Sequence, residues 1–317
     1  MRKVCAVALL AGVAAMSAGC RDTPQSGQAE LKALGNKRER ELAMRLAKAD
    51  KSPDKDKPVA MWVMPPELRE ISGLALTADG RILAHDDEVS KVYVIDPRRG
   101  ILLKQFTLGT GMRGDFESIT IAGSDIYMLA SNGVLYQFQE GADGAGVPYS
   151  TVDLHLGKEC EFESMVYQAD SNWLVMPCKN ANDKKLQHHL VIYRYRLGGP
   201  DSSRVSMVTI PFAQLVGSNK WKNLHPSDIT IDPTTGNYVM ISSHEKALVE
   251  FTSAGDLVRA EPLPDGHNQP EGVAITKDSI IMVSDEATRK PAAITLYRWH
   301  PSPTAIPHLT PKPDSAQ

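Results

Sequence analysis

Glu117-Ser118-Ile119-Thr120, a turn, Ile126-Tyr127-Met128-Leu129, a second turn, then Val134-Leu135-Tyr136-Gln137-Phe138: this stretch decides the fold. Its short apolar runs, cut by Gly, Asp, Asn and Ser, are the pattern of consecutive antiparallel strands. Four more segments align with its first run: Ser72-Gly73-Leu74-Ala75, Glu163-Ser164-Met165-Val166, Ser227-Asp228-Ile229-Thr230 and Glu271-Gly272-Val273-Ala274. Each is followed by second and third runs of the same kind, such as Tyr238-Val239-Met240-Ile241 and Leu248-Val249-Glu250-Phe251 after the fourth. A repeat of about 45 residues holding four strands is one blade of a β-propeller.

Working outward, fourth strands are expected at Leu102 to Thr107, Ser150 to Leu154, Val205 to Ile210 and Leu257 to Glu261. The fifth repeat lacks one after Trp299, and Pro58 to Met64, which precedes the first repeat, is expected to supply it and close the ring. Closure removes the open sheet edges that promote aggregation. The expectation is an all-β chain, a five-bladed β-propeller over 58–302. A six-bladed ring is the alternative, because the third and fourth repeats stand further apart than the others; on the five-blade reading Pro211 to His225 is a long loop.

The flanking segments read differently. Met1-Arg2-Lys3, the apolar run Val4 to Ala18, and Ser17-Ala18-Gly19 before Cys20 form a secretory leader over 1–19, too short for a spanning helix. Ser-Ala-Gly-Cys resembles the bacterial lipobox, although Ser17 stands where Leu is usual. The resemblance implies lipidation of Cys20 and anchoring in the envelope; ordinary cleavage of a soluble periplasmic protein is the alternative. Arg21 rather than Asp after the cysteine points, by analogy, to the outer membrane facing the periplasm. Residues 20–57 are rich in Lys, Arg, Glu and Ala and are expected to be a charged tether, part helical from Gln28 to Ala49, with Leu31, Leu34, Leu42 and Leu46 as a thin apolar stripe. Residues 303–317 read as a disordered Pro-rich tail.

The formal charge of -3 becomes -5 once Arg2 and Lys3 leave with the leader. No basic patch appears, which argues against a nucleic-acid partner. The sequence contains no Gly-x-Ser-x-Gly, His-Glu-x-x-His, Cys-x-x-Cys or Walker loop. Gly109 to Gly114 fits a dinucleotide fingerprint in spelling only, since a strand and not a helix follows it. Beyond the leader and the anchor, Cys160 and Cys178 remain, the number one bridge needs; folding the third repeat's second strand back on its first sets them near each other. Two free thiols are the alternative.

In a propeller the innermost strands start, and the second strands end, at one face of the ring. That brings Ser72, Glu117, Glu163, His225, Asp228 and Glu271 toward His85, Asp86, Asp87, Asn132, Lys179, His244, Asp285 and Glu286, a carboxylate-rich funnel. Glu117, Glu163 and Glu271 are the expected ligands if the funnel holds Ca²⁺, which takes oxygen donors. The same glutamates with His225 or His244 are the candidates for acid–base catalysis. The opposing expectation is that the repeated glutamates accept hydrogen bonds from backbone N–H groups of neighbouring blades.

Ile71-Ser72-Gly73-Leu74-Ala75, Phe116-Glu117-Ser118-Ile119, Pro270-Glu271-Gly272-Val273-Ala274 and Ser284-Asp285-Glu286 resemble the SdiA-regulated, or YjiK-like, proteins over Pro58 to Trp299. The resemblance implies a five-bladed, envelope-associated propeller with no established reaction. Calcium-dependent propellers of the gluconolactonase-like and phytase-like esterase kinds carry similar short motifs. Two functions are therefore expected: a binding module for a small ligand, cation or envelope protein, or a calcium-dependent hydrolase of an ester, lactone or phosphoester.

Overall fold

A computed structural model describes residues 24–51, 54, 56–198 and 204–302. The leader, Cys20 and the tail lie outside the described residues. The body is an all-β propeller of five blades. Helix α1 (Pro24–Ala49) precedes β1 (Ala60–Val63). Blade 1 holds β2 (Ile71–Leu76), β3 (Ile82–Asp86), β4 (Lys91–Asp96) and β5 (Ile101–Leu108). Blade 2 holds β6 (Phe116–Ala122), β7 (Asp125–Ala130), β8 (Val134–Phe138) and β10 (Tyr149–Asp153), while the two-residue β9 (Gly146–Val147) pairs in parallel with β5 of blade 1. Blade 3 comprises β11 (Cys160–Phe162), β12 (Val166–Gln168), β13 (Trp173–Ala181), β14 (His189–Arg196) and β15 (Val205–Pro211). Blade 4 follows as β16 (Asp228–Ile231), β17 (Tyr238–Ser242), β18 (Ala247–Phe251) and β19 (Leu257–Pro262). Blade 5 has β20 (Pro270–Ile275), β21 (Ile280–Asp285) and β22 (Ala293–Arg298) from its own repeat.

Its fourth strand is β1, antiparallel to β22 with Trp62 opposite Ile294, so the ring is closed from the N-terminal side as the missing strand required. The segment that could have held a sixth blade instead forms a short helix, α2 (Phe212–Leu215). Phe212, Leu215 and Leu224 bury themselves beside blade 4. The core lies between blades: the sheets are apolar on both faces, as in β17, whose five residues are all buried. β9 was invisible in the sequence because two residues carry no periodicity. Its close approach explains a glycine: a Cβ on Gly146 would stand 2.1 Å from the Gly109 carbonyl oxygen.

The blades are also stitched by side chains. Ser118 Oγ bonds the Met165 carbonyl (3.4 Å), Ser284 Oγ that of Ser72 (3.3 Å), and the Tyr167 N–H donates to Thr120 Oγ1 (3.0 Å). Trp299 Nε1 donates to Asp232 Oδ2 of blade 4 (2.9 Å). Cys160 and Cys178 form a disulfide with Cα atoms 5.7 Å apart, joining β11 to β13.

One expectation changes. The helical part of the tether is longer than Gln28 to Ala49 and does not stand free in solvent. Leu42 and Leu46 enter the core cluster of blades 1 and 5. Arg38 donates to the Arg99 and Gly100 carbonyls (3.2 and 2.9 Å) and lies 5.3 Å over the Trp62 ring. Glu39 pairs with Arg99 at 2.9 Å, and Arg45 donates to the Val59 carbonyl at 3.3 Å. A thin stripe of two leucines at i, i+4 suffices when arginines can bond free carbonyls around it. Arg99 and Gly100 belong to the β4–β5 turn, which the antiparallel order places at the face opposite the inner-strand starts.

Candidate functional site

The inner strands β2, β6, β12, β16 and β20 surround the axis, and their starts converge as the repeat geometry required. The predicted funnel residues divide into four arrangements with different chemistry.

The first is a brace. Asp228 is 1% exposed, and its Oδ2 accepts the backbone N–H of Val273 (2.7 Å) and of Leu74 (3.3 Å). It thus ties blade 4 to blades 5 and 1. Burial pushes its carboxyl well above the ordinary range. Interblade bonding of the kind expected of the repeated glutamates is made here by Asp228, one position after the glutamate column, where the other repeats carry Gly or Ser. Asp86 and Asn132 also serve the backbone: Asp86 Oδ1 caps the Glu88 and Val89 N–H groups (3.1 and 3.0 Å), and Asn132 Oδ1 caps Val134 (3.2 Å) in an exposed turn. Asp285 holds His267 Nδ1 at 2.5 Å and the Asn268 N–H at 2.9 Å, while His267 Nε2 meets the Tyr297 hydroxyl at 2.9 Å. Ser72 is buried and bonds to blade 5 through its carbonyl.

The second arrangement holds Glu117, Glu163, Glu271 and Lys179. Lys179 pairs with Glu163 and also feels Glu271 and Glu161. Burial raises Glu163 to about 7 against the pull of Lys179. Burial, then the charges of Glu163 and Asp115, raise Glu117 to about 9. Glu271 is raised by burial, opposed by Lys179 and by hydrogen bonds from Ser243 and Ser227. Lys179 thus pairs with Glu163 and lowers the proton affinity of Glu117 and Glu271 through its charge. Among the described residues these three carboxyls do not form a group with ligand atoms within 4.8 Å of one another.

Two other groups do. Glu70, Asp87 and Glu286 converge within 4.8 Å between blades 1 and 5. Burial, followed by Glu70 and Asp87, raises Glu286 to about 9; burial, followed by Glu70 and Asp86, raises Asp87 to about 6. Asp87 Oδ1 is enclosed without a hydrogen-bond partner. Beside this trio His85 is fully buried, with Nδ1 3.2 Å from the Asp86 carbonyl oxygen and Nε2 unpartnered; burial lowers it to about 4. The last group is His225, His244 and Glu245. Both Nδ1 atoms meet Glu245 Oε1, at 2.7 and 2.9 Å, and the other carboxylate oxygen accepts the His225 N–H (3.0 Å) and the Ser242 hydroxyl. Burial alone would raise Glu245, but the bonds from Ser242 and His225 hold it below the ordinary range.

Sequence reasoning missed Glu70 and Glu245. Glu70 lies one residue before β2, and Glu245 sits in the β17–β18 connection, one residue beyond the strand end inspected. A wider window at each strand end would have found both.

Residues 217–302 match the SdiA-regulated family model. The matched segment covers blades 4 and 5 and includes His225, Asp228, His244, Glu245, Glu271 and Glu286, in line with the resemblance carried by the inner-strand motifs. No curated protein matches the chain. Among solved structures, the chain is similar to the PQQ-bound aldose sugar dehydrogenase of Streptomyces coelicolor, with 14% identity, 75% of this chain and 98% of that one covered, and a TM-score of 0.49. The glutaminyl cyclase of Myxococcus xanthus gives 12% identity, 76% and 94% coverage, and a TM-score of 0.49. A streptogramin B lyase gives 14% identity, 77% and 73% coverage, and a TM-score of 0.41.

Proposed function

We propose that this SdiA-regulated-type propeller is an exported binding module, lipid-anchored through Cys20, whose funnel receives a cationic ligand. One observation carries the reading: Glu70, Asp87 and Glu286 crowd within 4.8 Å while Glu286 is held up to about 9 and Asp87 to about 6. A carboxyl that burial and its neighbours' charges keep from ionising, as at Glu286, gains stabilisation when a cation enters beside it. Ca²⁺ is the simplest cation that suits oxygen donors, and an organic amine is the other class. The anchor supports the arrangement. α1 begins four residues after Cys20 and docks toward the face opposite the inner-strand starts, so a chain tethered there presents its funnel away from the bilayer, toward the periplasm if the outer membrane holds it.

The test is thermal melting at pH 7.5 with Ca²⁺ or with a diamine, for the wild type and Glu286→Gln. A ligand-dependent rise in Tm that Glu286→Gln removes is expected; no rise with either cation overturns the reading. The calcium-dependent hydrolase remains the second reading, because Glu117 at about 9 and Glu163 at about 7 form a pair of carboxyls with separated proton affinities, as acid–base catalysis requires. A panel of ester, lactone and phosphoester substrates compared with Glu163→Gln tests it. Turnover lost in that variant favours the enzyme, and no turnover on any substrate removes it.

A further inference from the structure

We propose that His225, His244 and Glu245 form a second, independent site on the rim of blade 4 that binds a divalent transition metal ion, with Zn²⁺ the best fit. The three ligand atoms lie within 4.8 Å of one another, and they are brought there by separate parts of the chain. His225 precedes Pro226, which biases it to extended backbone and carries it alongside the blade at the approach to β16. His244 and Glu245 sit in the four-residue connection between Ser242 and Ala247, which pair across the hairpin, with Lys246 at φ +51° turning the chain back.

The donor set selects the metal. Two imidazole nitrogens and one carboxylate oxygen suit Zn²⁺, Cu²⁺ or Ni²⁺, whereas Ca²⁺ and Mg²⁺ need oxygen on every side. Three protein ligands leave a fourth position, and the His244 side chain, 77% exposed, places that position in contact with solvent. Such an open site takes water or a ligand's anionic group.

Preorganisation is the second argument. Metal ligands work best when other groups fix them, and Glu245 is 8% exposed and anchored through the His225 N–H and Ser242. Both Nδ1 atoms already face the same carboxylate oxygen, and the two rings lie 5.0 Å apart at 66°. Donor atoms around tetrahedral zinc stand about 3.3 Å apart, so bonds of 2.7 and 2.9 Å need open by only about half an ångström when a metal replaces the ring protons. Ser243, next to His244, hydrogen-bonds Glu271. The open position therefore lies beside the funnel wall without sharing a ligand with the Glu70–Asp87–Glu286 group.

The experiment equilibrates the full chain with equimolar Zn²⁺, desalts it and measures bound metal, then repeats the titration with Co²⁺ and records its visible absorption. One zinc per chain is expected, unaffected by a large excess of Ca²⁺, with a cobalt band typical of four or five ligands. His244→Ala, at an exposed position that the fold does not need, lowers the affinity at least about ten-fold and removes the band. His225→Asn and Glu245→Gln do the same, and His155→Ala, on an exposed turn elsewhere, changes nothing. Glu286→Gln retains zinc, which separates this site from the cation site of the funnel. Failure to retain zinc, or equal retention by His244→Ala, overturns the proposal.

Discussion

Asp228 and His85 are both buried and ionisable, yet they act on stability in opposite ways. Asp228 supplies acceptors to two blades. Replacing it by Ala leaves the Leu74 and Val273 N–H groups unpaired, and a loss of about 3 kcal/mol is expected in urea unfolding. His85 offers Nε2 to no partner and is held neutral by burial, lowered to about 4. Above pH 6.5 both folded and unfolded chains leave it neutral. As pH falls from 6.5 toward 4 only the unfolded chain takes the proton, so about 3 kcal/mol of stability drains away. His85→Leu should flatten this acid limb; an unchanged slope of Tm against pH between 6.5 and 4 would dismiss the account. Glu117 has the opposite sign. Its carboxyl is raised to about 9, so between pH 4.5 and 9 the unfolded chain ionises first and stability falls as pH rises. Glu117→Gln should raise Tm at pH 8 more than at pH 5. The carboxyl-rich character of the funnel was legible in residues at strand ends; the separation of bracing from titrating groups was not, because it depends on which backbone N–H groups each side chain reaches.

Element by element, two additions to the blades have separate consequences. The Cys160–Cys178 bridge closes a short loop within blade 3 that contains Glu163 and ends one residue before Lys179. Reduction should release two thiols, detected by mass after alkylation, and cost about 2–4 kcal/mol. Two free thiols in protein purified without reductant would remove the bridge from the account. α1 carries its own test. Hydrogen exchange should show amides from about Leu42 to Ala49 protected in the wild type and fast in Leu42→Ala, with the blades unchanged, since Leu42 and Leu46 are the helix's buried leucines in the core of blades 1 and 5. Fast exchange in the wild type would return the segment to a free spacer. Its docking could not be read from the sequence: a polar helix with two buried leucines has almost the same pattern as one with none.

At the scale of the whole molecule, the ring depends on β1, which leaves its sequence neighbours to pair with β22 of blade 5. Deleting residues 58–64 would expose the edge of β22, and concentration-dependent aggregation in light scattering is the expected result. A monomeric, unshifted deletion variant would show that closure is dispensable. Five repeats, their strand order and this borrowed strand were determined by the sequence itself, because each blade is a local unit: strands adjacent in the chain pair with one another, and alternation and turns are visible within about 45 residues. The face on which strand starts gather followed from the same local rule. What only the tertiary structure decided is which side chains meet: Lys179 among the glutamates, Asp228 as a brace between blades, Glu70 with Asp87 and Glu286, and two histidines on Glu245. Those contacts join residues tens to hundreds of positions apart or at turns without periodicity. Their chemistry is set by distances and desolvation of a few ångströms, which no spacing in a chain records.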